Sequence, residues 1–521
     1  MGGFSLKKTE FIRQIEKENR KYNVVKFRSY LIMKLSHGEK RKKREFAYSI
    51  FEDFHSLDKW DNSLPDGKFF KPTDIVLYDL IKKEDFPYVK KGLIKLFKKC
   101  FCHKYLWGGK TETAIEDLIN GLDQTLNSGN SWYNIGIFDY SYNSTLETYI
   151  DHFEIYFRNF SSSYIVVEIH IVLAASYVSE LADFIKKQYK KLGMCIYRHW
   201  DRKKGKSGAK INYGVSSGVS SECAKSQIIY EQLQYVKNIF LKELKKFFPL
   251  MQYSRNGKIY GINVFETNIT YTDKLDNSIY DGLGLNERYG FNFSCAERLY
   301  VSTETLKPFD SYESDMMFVF NPDMIDEYKM YLTPHNKALH QLKMCYMDEL
   351  YRGVILKDIG IGYLNLISHY RNQVNKNKPH RKNHRRLLKL KYQISKDFYD
   401  FKKIDEELPV DGELDKIDKI LRDDLFTKAS IYYGLHTAKI FASSPRWIWK
   451  QIRSNYDEVE NDLNRKIEIS DSLTSYSSEK KNRILIIIQV ILATLTLYLM
   501  IFPDKTTKIA SWLLKIFELL S

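Results

Sequence analysis

Nineteen consecutive residues near the C-terminus, Ile484 to Phe502 (ILIIIQVILATLTLYLMIF), contain no charge, no Gly and no Pro. As a helix rising about 1.5 Å per residue they reach roughly 28 Å, against a hydrocarbon core of about 30 Å. In lipid a lone segment satisfies its own backbone only as a helix. Charged flanks, with Glu479, Lys480, Lys481 and Arg483 before and Asp504 after Pro503, argue against a core element. The sequence predicts a transmembrane helix carried by Ile484, Ile488, Leu492, Leu495, Leu499 and Phe502.

The flanks also orient it. Lys480, Lys481 and Arg483 outweigh Lys505 and Lys508, which lie beside Asp504. The larger positive cluster belongs in the cytoplasm, so a single-pass protein with most of the chain cytoplasmic is expected. The tail Ile509 to Leu520 (IASWLLKIFELL) would reach only about 18 Å and suits a helix lying in the interface. A second crossing over Thr506 to Ser521 would carry Lys508 and Lys515 into lipid. Inside the span, Gln489, Ala493 and Thr496 recur at four and then three residues. Such a small, polar stripe favours a seam with another helix; a pore lining is the sharper reading.

The rest of the chain has globular composition, 44% hydrophobic and 28% charged, which excludes wholesale disorder and a protein built mainly of membrane helices. Its 521 residues suit two to four domains. The formal charge of +16 favours polyanionic partners, nucleic acid or an anionic membrane, although Lys-rich codon usage explains it equally well. The start, MGGFSLKKTEFIRQ, lacks the apolar core of a secretory leader, so the six scattered cysteines are expected as reduced thiols.

The fold class expected is α+β: a cytosolic mixed α/β domain, then a long-helix region and a C-terminal transmembrane helix. Residues 1–130 read as mainly helical, with the basic run Lys40 to Arg44 and the basic amphipathic stretch Lys90 to Lys104, whose apolar side is expected on a core. Residues 131–330 change period. Tyr133–Ser141, His152–Phe160 and Tyr164–Leu173 are aromatic and β-branched, and Ser161 to Ser163 make a hairpin turn between the last two. Helices follow at Tyr177–Leu192 and Ala224–Leu250, with strands at Lys258–Thr267, Arg288–Thr303 and Met316–Asn321. Residues 331–480 form the long-helix and stalk region, and residues 481–521 the anchor and tail. Leu414, Ile417, Leu421, Leu425, Ala429 and Tyr432 mark one helix. Ser444-Pro445 reads as the cap and first turn of the last helix. Ile452, Tyr456, Val459, Leu463 and Ile467 then give it a seam suited to coiled-coil self-association. The Ser-rich stretch from Ser470 to Ser478 allows a hinge before the membrane.

Catalytic patterns are weak, and no catalytic residue, metal site or cofactor is assigned. Cys100, Cys102 and His103 lack a second spaced pair for zinc, which favours buried thiols. Gly205-Lys206-Ser207 ends like a phosphate-binding loop, but Trp200 stands where the first Gly is required. The densest basic segment, Lys376 to Lys391, includes Lys376, Lys378, Arg381, Lys382, Arg385 and Arg386. It reads first as a solvated helix connection, and functionally as a polyanion patch for nucleic acid or lipid headgroups.

The layout of a cytosolic α/β domain, long helices and a stalk entering the membrane resembles the CorA-type metal-ion transporters. The stretch Tyr456 to Leu463 and the basic run Lys480 to Arg483 are similar to that family's polar stalk and basic girdle. The family's Gly-Met-Asn signature is replaced by Phe502-Pro503-Asp504. The resemblance implies an oligomer and cation conduction. The leading expectation is a membrane-anchored, non-enzymatic sensor or effector, in contact with the lipid bilayer and self-associating through stalk and span. A divergent CorA-like channel and a membrane-tethered nucleic-acid-binding or nuclease-type effector are the alternatives.

Overall fold

The computed structural model describes residues 63–103, 112–128, 132–139, 144–189, 194–201, 210–217, 224–269, 294–296, 299–302, 315–320, 348–420, 428–429 and 437–502, with isolated positions in 17–31 and 511–515. In chain order the elements are β1 (Phe70–Lys82), α1 (Phe86–Lys99), β2 (Phe101–His103), α2 (Glu112–Ser128), β3 (Trp132–Asp139), α3 (Ser144–Glu147), β4 (Ile150–Asn159) and β5 (Tyr164–Leu173). Next come α4 (Ala175–Lys186), β6 (Met194–Asp201), β7 (Lys210–Ser217), α5 (Ala224–Leu244), α6 (Met251–Asn256), β8 (Gly261–Thr267), β9 (Ser294–Ala296), β10 (Leu299–Ser302) and β11 (Met316–Phe320). The chain continues as α7 (Asp348–Lys376), α8 (His384–Asp397), α9 (Tyr399–Glu407), α10 (Val410–Ile420), β12 (Lys428–Ala429) and α11 (Thr437–Ile501). Packing divides the chain into one unit of residues 1–362 with 403–449 and a second of 363–402 with 450–521.

The first unit is built on a ten-stranded sheet of order β12-β9-β10-β11-β8-β1-β5-β4-β3-β2, antiparallel except for β11 beside β8. One face carries Ile75, Leu77, Phe153, Ile155, Val167, Ile169 and Phe265. They pack with Val89, Leu93 and Leu96 of α1, Leu181 and Ile185 of α4, and Leu233, Val236 and Phe240 of α5. Buried Val76, Tyr78, Val166, Ile262 and Val264 occupy the opposite face, where the Tyr78 ring meets Tyr351 of α7. Covering both faces explains why β1 and β5 read as near-continuous apolar runs with no alternation.

The α/β region meets expectation at β3, β4, β5, α4, α5, β8 and β11, and the turn at Ser161–Ser163 is present. It is clamped by Glu407, whose carboxylate accepts from Ser161 Oγ (2.6 Å) and Ser163 N (3.1 Å). The apolar side of α1 joins the core, as expected for the stretch from Lys90, but the helix ends at Lys99, and Phe101 to His103, read as its continuation, form strand β2 against β3. Three further readings are corrected. Residues 70–82, placed in a mainly helical region, form the central strand β1. The run Ile75-Val76-Leu77 has no period that separates buried strand from buried helix, and pairing with β5 and β8 decides. Ala429 lies in β12, paired to β9, instead of on a helix with Leu421 and Leu425. The last helix starts at Thr437, so Ser444 is no cap and Pro445 lies inside it. The helix continues past the missing N–H because Ile448 and Trp449 are buried beyond it, with Trp449 Nε1 donating to the Leu356 carbonyl at 2.9 Å.

Gly92 lets α1 approach the backbone after α5: a Cβ there would stand 1.9 Å from the Phe247 carbonyl oxygen. Gly92→Ala must displace main chain and is expected to cost about 1–3 kcal/mol or more. Thermal unfolding of the detergent-solubilised chain measures it, and an unchanged midpoint refutes the close approach.

The second unit is a helical bundle of the α7 C-terminal half, α8, the start of α9, and α11 from Lys450 onward. The Phe398 ring packs at tilted and edge-on angles among Tyr363, Tyr370, Phe401 and Tyr456. Ile452, Tyr456, Val459 and Leu463 of α11 are buried here. The stalk spacing expected to join copies is therefore occupied within the chain.

Candidate functional site

The helix α11 runs as one rod through residues 437–501, Ser470 to Ser478 included. The Ser-rich hinge is therefore not observed. Ser472 Oγ and Thr474 Oγ1 return their hydrogen bonds to the carbonyls of Glu468 and Ser470, which keeps these polar residues compatible with helix. Packing in the bundle ends at Ser470, which is fully buried; from Asp471 onward the helix is mostly exposed.

The apolar stretch then stands bare on every side. Ile484, Ile488 (45% exposed), Leu492 and Phe502 are exposed, as are Leu485, Ile486, Ile487, Val490 and Ile491 between them. Leu495 is half-buried, and the Leu499 side chain lies outside the described residues. This is a helix long and apolar enough to cross a membrane, with none of its apolar window inside the protein. A helix greasy all round has two destinations, a protein interior or lipid, and this one has no interior around it. Gln489, Ala493 and Thr496 are exposed on it together. Thr496 Oγ1 donates to the Leu492 carbonyl at 2.8 Å, so its proton is already used within the helix. Of the tail, Trp512 is exposed.

The basic segment forms the tip of the bundle. Arg371 of α7 donates to Asn455 and Glu458, Lys466 Nζ to the Val374 carbonyl (2.9 Å), and His380 N to Ser470 Oγ (3.1 Å). These contacts step along both chains in the same sense, so α7 runs toward the apolar end of the rod and α8 runs back. The turn between them is held by Asn383 Nδ2 to the Lys378 carbonyl and Lys382 N to His380 Nδ1. Lys376, Lys378, Lys382, Arg385 and Arg386 are exposed there; the Arg381 side chain lies outside the described residues. Residues 359–396 contain no Asp or Glu. Leu388 and Tyr392 (70% exposed) stand among the cations on the outer side of α8.

Chemistry that the sequence did not reveal lies inside the first unit. Lys237 of α5 and Asp315 beside β11 form an ion pair (2.6 Å) with both side chains almost wholly buried. Asp315 also accepts from Gly261 N (2.9 Å) and Gln234 Nε2 (2.6 Å). Burial pushes the Lys237 pKa down, against the opposing pull of Asp315. On the other sheet face, Glu168 accepts from Arg158 and is hydrogen-bonded to His170. Burial opposes its ionisation, but the His170 and Arg158 charges win and hold it at about 2. Lys237 and Asp315 come together from elements 78 residues apart, whereas Arg158, Glu168 and His170 share the β4–β5 hairpin, where only the pairing of its strands brings Arg158 onto Glu168. Among the described residues, no three metal-ligating side chains gather. Lys40 to Arg44 and Gly205 to Ser207 lie outside the described residues.

Asp79 of β1 caps α6 from a distance. Its carboxylate accepts from Leu80 N (2.6 Å), Gln252 N (2.7 Å) and Tyr253 N (3.0 Å). Burial outweighs those three donors and raises its pKa to about 7. Between about pH 4 and pH 7 the folded chain thus retains a proton that the unfolded chain has released. Stability from this group is complete below about pH 4 and falls as pH rises through 7. Asp79→Asn is expected to cost about 1 kcal/mol at low pH and to flatten that decline. Melting midpoints from pH 4 to 8 measure both, and equal slopes in variant and parent refute the assignment.

No protein-family model, curated protein or solved structure matches the chain.

Proposed function

We propose that the chain is a single-pass membrane protein, anchored by Ile484–Phe502, whose α/β unit works on the cytoplasmic side as a tethered sensor or effector. The observation that carries this reading is the apolar end of α11, exposed on all faces and continuous with a packed stalk. Lys480, Lys481 and Arg483 support the orientation. Among the described residues, the titratable groups that cluster, Lys237 with Asp315 and Glu168 with His170, are buried inside the sheet unit, which agrees with a structural role for them.

Protease added to intact cells, then to permeabilised ones, tests the topology. The α/β unit should be degraded only after permeabilisation; degradation in intact cells defeats the orientation. A cation-channel reading would need copies joined through Gln489, Ala493 and Thr496 within the span, since Ile452 to Leu463 pack within the chain.

A further inference from the structure

We infer that the tip of the helical bundle, Lys376 to Arg386, is drawn electrostatically to the anionic headgroups of the leaflet through which α11 enters. This deepens the membrane reading and rests on it. Three observations carry it. The turn points along the rod toward its apolar end and is fixed to the rod through Ser470. The segment is all cation: Lys376, Lys378, Lys382, Arg385 and Arg386 are exposed, with no acid anywhere in residues 359–396. Glu468 and Asp471, on the rod beside Ser470, offset that charge only in part. Finally, the turn is held in place by Asn383 Nδ2 to the Lys378 carbonyl and Lys382 N to His380 Nδ1, so the cations are fixed at the end of the bundle nearest the span.

The distances permit electrostatic attraction. Fourteen residues separate Ser470 from Ile484, about 21 Å of helix. Headgroups occupy roughly 5–7 Å of that rise on each side of the bilayer. An upright rod would leave the tip about 14 Å above them. Packed helices lie about 8–10 Å apart, so a tilt of about 30° toward the tip lowers it to within about one Debye length of the headgroups. Transmembrane helices tilt by up to about 40°. Cytoplasmic leaflets are anionic, and basic residues beside a span are drawn to them. The tip would thus set the angle at which the stalk leaves the membrane.

The test uses the full chain reconstituted into vesicles of phosphatidylcholine alone or with about one-third phosphatidylserine. A membrane-impermeant amine reagent and mass spectrometry read the reactivity of Lys376, Lys378 and Lys382, with exposed Lys416 as internal reference. Several-fold protection is expected only with phosphatidylserine, reversed by high salt and reduced at Lys376 and Lys378 by Arg385→Gln with Arg386→Gln. Equal reactivity in both vesicles overturns the proposal. So does protection by added RNA in phosphatidylcholine vesicles with none from phosphatidylserine, which would make the tip a nucleic-acid surface. Alkaline carbonate treatment of the same vesicles separates the two readings. A chain that stays embedded without lipid-dependent protection defeats only the attraction, whereas a chain that washes off defeats the anchoring itself.

Discussion

Replacing Leu492 and Leu495 together by Arg is expected to release the chain from membranes. Both lie near the middle of Ile484–Phe502, where a single Arg costs about 2.5–3.5 kcal/mol. Two cost roughly 5–7 kcal/mol, comparable to the roughly 4–8 kcal/mol that the stretch gains at about 0.3–0.6 per Leu, Ile, Val or Phe. The parent should remain in the pellet after alkaline carbonate, and the double variant should appear in the supernatant or in aggregates. Leu473→Arg is the control: Leu473 is exposed on the same rod, eleven residues before the apolar stretch, and should leave retention unchanged. If the double variant remains embedded, this segment is not what holds the protein. Loss of retention in both variants, with the parent retained, would instead show a folding defect of the stalk.

The second large effect belongs to the Lys237–Asp315 pair. Asp315→Ala strands a buried ammonium and removes the acceptor for Gly261 N and Gln234. Breaking such a pair from one side typically costs about 3–5 kcal/mol, because the remaining charge loses its counter-ion and is left with neutral groups such as the Ile259 carbonyl at 3.4 Å. Asp315→Leu combined with Lys237→Met removes both charges and should be milder than the single change, although the Gly261 N–H stays unsatisfied. The pH dependence gives an independent readout. A lysine whose folded pKa lies below its unfolded value binds fewer protons when folded, so stability rises with pH up to the unfolded value. Without Asp315 that depression deepens, and the single variant should recover stability toward alkaline pH more steeply than the parent. Chemical denaturation at pH 7 and pH 9.5 tests this; a parallel pair of profiles removes the buried ammonium from the explanation.

The different legibility of these features has a physical cause. Ile484 to Phe502 is local chemistry: nineteen residues without a charge state their preference for a non-aqueous surrounding whatever the rest of the chain does. The hairpin β4–β5 is nearly as local, since its two strands flank a three-serine turn. β1 is different. Its partners β5 and β8 lie about 90 and 190 residues away, and its apolar run suits a buried helix equally well until those partners are in place. The same holds for Asp79, whose role as a cap depends on a helix about 170 residues later.

The apolar span, its charged flanks, the basic segment and most of the local strands and helices were thus legible along the chain. Each depends on residues that are neighbours along the chain. Tertiary structure decided the use to which the periodic patterns were put. Ile452 to Leu463 could have faced another copy, but they are buried within the chain, with Tyr456 against the Phe398 ring. The basic segment could have been any solvated connection; the bond from His380 to Ser470 turns it into the tip beside the emerging rod. Periodicity specifies that a face must be covered, and only the three-dimensional arrangement specifies by what.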